Sequence, residues 1–516
     1  MRILLLYLCL LGSTVYSQNQ NNIWIFGDSC GIDFNNLANP QTFSSGMDGR
    51  GSSSSICDSA GNLLFYAATI GKLNNDWDTR IFNNQHQIIA GCDSITGRSW
   101  YNEVVIIPKP NDANKYYIFS VGLDKPNNQG CFYTLIDMSL NNGNGAVLQQ
   151  NIKINNATSA DCLTAVKHGN GRDWWVINKY SSKTSPNQYN RFFVYLVTPD
   201  TVMPPIIDDF NDATDADFQK LIWNKSGSKF MLINVGGYMA EFNFDRCSGS
   251  ITLFNAIYSE QSNNWNRLFW EGAYSPNDSL FYIATSGVYK VDTLYLLQFN
   301  LFATNIPASC DTLDTILYPI GTGAVRLAPD GKIYCTRAYD NPFVFSYPYP
   351  DSMRNYINEN LSVINNPNAL GAACNYTPFS FYLGGKRTYY GLPNNPNYGL
   401  GRLYGSPCDT LSANLTPALS KGEGVMQITY ISAWEKLFVN ASGLNGKNVT
   451  ITVYDGRGSL KFEVRGLKSN AGYFTLDINC AGGLASGERG ARWANGLYVV
   501  LLETEAERLS KKFVKE

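Results

Sequence analysis

The chain has 516 residues, more than one hydrophobic core organises, so several domains or a repeat-built body with an appendage are expected. Charged residues make up 16% and aromatics 13%, with 32 Tyr and 27 Phe, a bias toward strands rather than long helices. A formal net charge of -2, with no Lys/Arg cluster, excludes the electrostatic footprint of a nucleic-acid binder.

The N-terminus reads Met1, Arg2, an apolar run from Ile3 to Leu11, then small and polar residues to Gln18. This is a signal peptide, residues 1–17, with cleavage expected after Ser17. No later stretch approaches the roughly 18 apolar residues of a membrane helix, so no transmembrane span is expected in the mature chain. Of the 12 cysteines Cys9 leaves with the leader, and the remaining 11 fall in a compartment that permits disulfides. Their spacing is wide and irregular, and only His86 and His168 exist, which argues against a Cys/His zinc site. A mixture of disulfides and buried thiols is expected.

Six apolar, aromatic blocks follow turns rich in Asp, Asn or Gly. They begin at Asn62 (NLLFYAAT), Lys115 (KYYIFSVG), Asp173 (DWWVINKY), Lys229 (KFMLINVG), Ser279 (SLFYIATS) and Lys332 (KIYCTRAY), at intervals of 53, 58, 56, 50 and 53 residues. Such a period marks a repeat architecture. Further strands follow the blocks, as at Arg191–Val197, Tyr238–Phe244 and Thr293–Phe299, so each period reads as a small antiparallel sheet of the size of a propeller blade. The expectation for residues 18–384 is an all-β β-propeller of about seven blades, with six and eight as alternatives. Ile23–Phe34 and Phe379–Gly384 are expected to share a closing blade, which would hide both edges of the ring.

Residues 385–421, rich in Gly, Pro, Asn and Ser, read as a linker. In residues 422–516 short strands are expected at Lys436–Asn440, Val449–Asp455, Leu460–Val464, Tyr473–Ile478, Leu497–Glu503 and Lys511–Val514, forming a small Ig-like β-sandwich.

The last segments, Gly496, Leu497, Tyr498 with Val499 and Val500, then Lys511, Lys512, Phe513, Val514, resemble the closing strands of the type A sorting domain of the Bacteroidetes type IX secretion system, and Val449–Gly458 resembles its central strand and turn. Where such domains open with Tyr-Pro-Asn-Pro, this chain has Tyr430-Ile431-Ser432-Ala433-Trp434. Asn22–Gly27, Cys30–Phe34, Asp58–Tyr66, Ile107–Pro110 and Gly391–Asn394 are similar to segments of large secreted proteins of the same bacteria. The resemblance implies passage to the periplasm and export by the type IX machinery as a partner. It also implies removal of the C-terminal domain and a mature protein that is secreted or held at the outer-membrane surface. It brings no catalytic residues.

Asp-Ser and Asp-Thr steps followed by an apolar residue or Thr resemble the O-glycosylation site of those bacteria, and occur at Ser59, Ser94, Thr201, Ser279, Thr293, Thr312, Thr315, Ser352 and Thr410. Composition alone would give roughly one or two, although such steps are also ordinary turn formers. The acidic run Asp208–Asp217 offers oxygen ligands for calcium but lacks the EF-hand Gly and terminal Glu, so a solvated loop is the plainer reading and no cofactor is named. Trp174, Trp175, Trp265 and Trp270 could stack on a ligand or pack between blades. No Gly-x-Ser-x-Gly, phosphate loop or His-Glu-x-x-His occurs, and no catalytic or metal residue is named. The expected function is a non-enzymatic binding or interaction protein whose propeller face meets an unknown glycan or protein. The alternative is a polysaccharide hydrolase or lyase, which would need a cluster of perturbed carboxylates at the mouth of the central channel. A lesser third reading is a cell-envelope structural protein needed for assembly or gliding.

Overall fold

The structure, a computed structural model, describes residues 19–73, 76–97, 101–122, 130–180, 190–210, 218–259, 268–285, 293–339 and 351–409. Toward the C-terminus it describes 426–431, 436–441, 448–455, 460–468, 473–477, 496–504 and 508–515. The chain divides into two units, Met1–Leu411 and Ser412–Glu516. The signal peptide and Ser17 lie outside the described residues.

In the first unit the described strands group into seven antiparallel sheets, in chain order. Blade 1 holds Ile23–Phe26, Asp28–Asp33 and Gln41–Asp48. Blade 2 holds Ser53–Cys57, Leu63–Leu73 and Asp76–Asn83, with short edge bridges at Phe82–Ile88 and Thr79–Ile95. Blades 3 to 7 are four-stranded meanders beginning at Val104–Pro108, Thr164–Lys167, Gln219–Trp223, Phe269–Tyr274 and Ile320–Leu327. One parallel bridge, Asp48–Ile70, joins blades 1 and 2.

The six blocks of the sequence are the second strands of blades 2 to 7. A second strand is flanked on both edges and packed on both faces, so its apolar run is nearly continuous: Trp174–Lys179 and Leu280–Thr285 are buried throughout. Fourth strands face water and lose that signal, as in Ala146–Asn155, where no residue is fully buried.

The core lies between blades. Phe192, Phe230 and Phe242 join blades 4 and 5; Met231, Phe269 and Phe281 join 5 and 6; Tyr282, Ile333 and Cys335 join 6 and 7. Trp24, Phe26 and Phe34 pack on Tyr334 and Val363, closing blade 7 onto blade 1, and Ile25 with Tyr66 and Phe82 joins blades 1 and 2. The ring is therefore closed, and the first unit is an all-β propeller.

Two expectations are corrected. Phe379–Gly384 does not share a blade with Ile23–Phe34, because Tyr376–Tyr382 pairs with Asn360–Ile364 as the outer strand of blade 7. Residues from Gly385 to Asp409 are not a linker: Arg387, Tyr389, Leu392, Asn394 and Tyr398 are buried in the propeller. Sequence reasoning took their Gly, Pro and Asn content for solvent exposure, but here side chains clasp backbone groups in place of a ladder.

The second unit contains two antiparallel sheets. One pairs Lys436–Ala441 with Met426–Ile431 and Tyr473–Asp477; the other runs in the order Leu460–Lys468, Asn448–Asp455, Gly496–Glu503, Arg508–Lys515. Val449, Ile451 and Val453 point to one buried side of the second sheet, with Val500 and Leu502 beside them.

Candidate functional site

The inner strands of a propeller end in unpaired backbone groups that face the axis. In this chain residues 387–403 meet them. The segment enters beside blade 1, where the Asp28 N–H donates to the Arg387 carbonyl at 2.7 Å and the Arg387 and Arg354 guanidinium groups reach the Asp28 carboxylate at 2.9 and 2.7 Å. Tyr390 then bonds the Arg50 carbonyl and accepts from the Ala324 N–H of blade 7.

Asn394 holds three blades at once. Its N–H donates to Ser53 at 2.7 Å, and its amide nitrogen donates to the carbonyls of Val104 at 3.0 Å and Leu163 at 2.8 Å. The Asn395 side-chain oxygen accepts from the Ser55 N–H, and the Tyr398 hydroxyl donates to the Ile106 carbonyl at 2.9 Å. From the blade side, Lys167 donates to the Tyr398 carbonyl and Arg246 to the Gly401 carbonyl. Leu403 bonds Gly169, and Cys408 forms a disulfide with Cys247, in the turn between the third and fourth strands of blade 5.

Partners advance along the inner strands as the segment does, so it runs along the axis from one mouth to the other. Two close approaches require glycine: a Cβ on Gly391 would lie 2.0 Å from the Gly51 carbonyl oxygen, and one on Gly169 would lie 2.4 Å from the Cys408 sulfur. Blade 1 has three strands of its own, and this segment meets it at a single bridge, Asp28–Arg387.

At the mouth where the inner strands begin, Tyr101, Phe218, Trp270 and Tyr390 form an aromatic lid with Val235. Tyr101 meets Trp270 edge to face at 4.6 Å, and Tyr390 lies 5.9 Å from Tyr101. The Arg50 guanidinium sits 5.6 Å and the Lys220 ammonium 5.4 Å from the Tyr101 ring.

Near the lid lies a belt of buried charge. Lys220 and Asp161, 2% and 0% exposed, form an ion pair at 3.4 Å, and the Asp161 carboxylate also accepts the N–H groups of Tyr101 and Asn102. Glu271 lies 3.6 Å from Arg326, and burial pushes its carboxyl upward while Arg326 opposes the shift. A cavity lined by Ala338, Met353, Asn358, Arg387 and Tyr389 measures about 10 Å³, room for about one water.

Among the described residues no group of three His, Cys, Asp or Glu side chains could hold a metal ion. His168 is tied into a turn, its Nε2 beside the Cys247 carbonyl and its Nδ1 accepting from the Asn170 N–H, and burial lowers its pKa. Burial pushes the thiols of Cys57, Cys131 and Cys162 up to about 12, which keeps them as thiols rather than nucleophiles.

The residues singled out in the sequence scatter. Gly496, Leu497 and Tyr498 pair with Lys515, Val514 and Phe513, and Val499 and Val500 with Lys512 and Lys511, so the two terminal segments are adjacent antiparallel strands. Among the hydroxyls, Ser59, Thr201, Thr312, Thr315 and Ser352 are exposed, while Ser94, Ser279 and Thr293 are half-buried. Thr410 and Trp265 lie outside the described residues. In the acidic run, Asp209 forms a two-pronged ion pair with Arg191 and Asp208 accepts the Ile251 N–H; residues 211–217 lie outside the described residues. Trp174 and Trp175 are interblade packing, and Trp270 is part of the lid.

Sequence reasoning missed Arg50, Tyr101, Phe218, Tyr390, Asn394 and Tyr398. The signal for the axial residues was present in Tyr389-Tyr390-Gly391-Leu392, an apolar island in an otherwise polar stretch.

No protein-family model matches the chain, and no curated protein matches it. Among solved structures it is similar to a Pseudomonas aeruginosa periplasmic gluconolactonase, at 10% identity and a TM-score of 0.33, covering 80% of this chain and 99% of that one. It is also similar to the Dos1 propeller, at 10% identity and a TM-score of 0.37, covering 72% and 86%. A glucose dehydrogenase matches at 10% identity and 0.33, covering 58% and 96%. The propeller assignment rests on the closed ring of sheets.

Proposed function

We propose that this is a non-enzymatic binding protein of the cell surface or medium, exported through the type IX machinery, with the lidded face of the propeller as its contact platform. The observation that carries the reading is the axial segment. It packs the channel with the chain's own residues, and at the lidded mouth the half-buried Arg50, Phe218 and Tyr390 lie around the buried Tyr101. Aromatic faces beside a guanidinium suit sugar rings and peptide side chains alike.

Export is supported by the leader-like residues 1–17, by the terminal strand pair and by the Cys247–Cys408 disulfide, a bond kept in oxidising compartments. In this reading residues 422–516 form the Ig-like sorting sandwich.

Glu271 favours the alternative of a polysaccharide hydrolase or lyase, since a carboxyl with a raised pKa on the axis could hold a catalytic proton. Its ion-pair partner there is Arg326, and the Asp161 carboxylate, itself paired with Lys220, acts on it from farther off. One experiment separates the two: the full chain is passed over immobilised surface polysaccharide from the cells that make it. Retention with the polysaccharide recovered at unchanged size supports binding. New reducing or unsaturated ends overturn it, and a lack of retention removes the polysaccharide as ligand and leaves a protein.

A further inference from the structure

Closing a ring of blades requires that the last piece not slip out. Among the described residues, the axial segment makes one ladder bridge to blade 1, Asp28–Arg387, and is otherwise held by single backbone hydrogen bonds, as at Tyr390, Asn394 and Leu403, and by side-chain clasps. The seam it closes is the contact between blades 7 and 1, at Trp24, Phe26 and Phe34. The same segment continues across the axis, over the turns of blades 4 and 5, and ends in a covalent bond on blade 5.

We propose that the Cys247–Cys408 disulfide is a kinetic latch on ring closure. Cys408 reaches Cys247 only when residues 387–403 already lie along the axis, because Leu403 must bond Gly169 and Gly401 must meet Arg246 on the way. The bond therefore forms after closure, when a disulfide-bearing oxidant of an oxidising compartment takes two electrons and two protons from the Cys247 and Cys408 thiols and is itself reduced to a dithiol, and it acts on the return path. With it in place, the axial segment cannot withdraw without carrying blade 5 with it. Blades 6 and 7 are enclosed in the same 161-residue loop, so the seam cannot open by peeling either of them from the C-terminal side.

An interaction made after the folding transition state slows unfolding and leaves the folding rate nearly unchanged. For a protein outside the cell, exposed to proteases with no chaperone at hand, the unfolding rate sets its lifetime. The latch rests on the axial geometry and stands whatever the platform binds, and its value outside the cell rests on the export proposed above.

The test follows unfolding and refolding of the full chain by tryptophan fluorescence in guanidinium, comparing wild type with Cys408→Ser. The variant is expected to unfold at least about tenfold faster and to refold within about twofold of wild type. Should Cys408→Ser not fold, native wild type treated with a dithiol takes its place; the dithiol leaves two protein thiols and itself becomes a cyclic disulfide. Unfolding rates within twofold of each other would overturn the latch. So would a loss of stability that appears in the refolding rate, or peptide mapping that finds Cys247 and Cys408 unlinked in the native protein.

Discussion

Single side chains on the axis carry charges that the sequence does not mark as unusual. Lys167 is pressed between Trp174 and Tyr398, beside the Arg246 guanidinium, and burial pushes its pKa down to about 8. The folded protein then releases this proton near pH 8, whereas the unfolded chain keeps it to about 10.4. Between those values the unfolded state binds more protons, so this residue's contribution to stability rises with pH. Denaturation midpoints of wild type and Lys167→Met at pH 7.0 and about 9.5 should show the variant's relative stability falling as pH rises; a pH-independent difference contradicts the assignment. Asp161 is the opposite case, a buried carboxylate whose loss strands Lys220 and two N–H groups. Asp161→Ala should lose about 3–5 kcal/mol in urea unfolding, and a loss below about 1 kcal/mol would show that the charge belt is not intact. For surface hydroxyls, reach decides. Glycopeptide mapping should find sugar at some of Ser59, Thr201, Thr312, Thr315 and Ser352, and none at Ser94, Ser279 or Thr293, where the hydroxyl is half-buried.

Elements were legible in proportion to how many faces they bury. Lys115–Gly122 and Lys229–Asn234 announced themselves because a second strand is apolar on both sides. Third strands such as Met239–Phe244 were nearly as plain. The axial segment shows no period for a physical reason: its backbone is satisfied by scattered main-chain groups and by Lys167 and Arg246 of the blades, while its own Asn394 and Tyr398 side chains satisfy blade carbonyls. The lid was missed because its members come from four separate stretches, with Tyr101, Phe218, Trp270 and Tyr390 spread over nearly 300 positions. Asn394→Ala tests the segment as an element. It removes two hydrogen bonds and leaves the Val104 and Leu163 carbonyls buried without that donor, and should destabilise the propeller by about 1–3 kcal/mol in urea unfolding. A change within about 0.5 kcal/mol would mean that the segment is not packed on the axis.

At the scale of the molecule, the chain is a closed propeller fastened along its own axis, followed by a separate unit of two sheets. The fastening ends at Cys408, three residues before the boundary of the first unit, so the propeller keeps its closing segment and its latch if the second unit is removed. That division is compatible with the export and processing proposed above. Intact-mass spectrometry of the protein recovered from the native cell surface and medium tests it most directly. The expected mass lacks residues 1–17 and the C-terminal unit, retains the chain through Cys408, and includes added sugar. A chain with its C-terminus intact and no sugar would contradict export through the type IX machinery and return the protein to the periplasm.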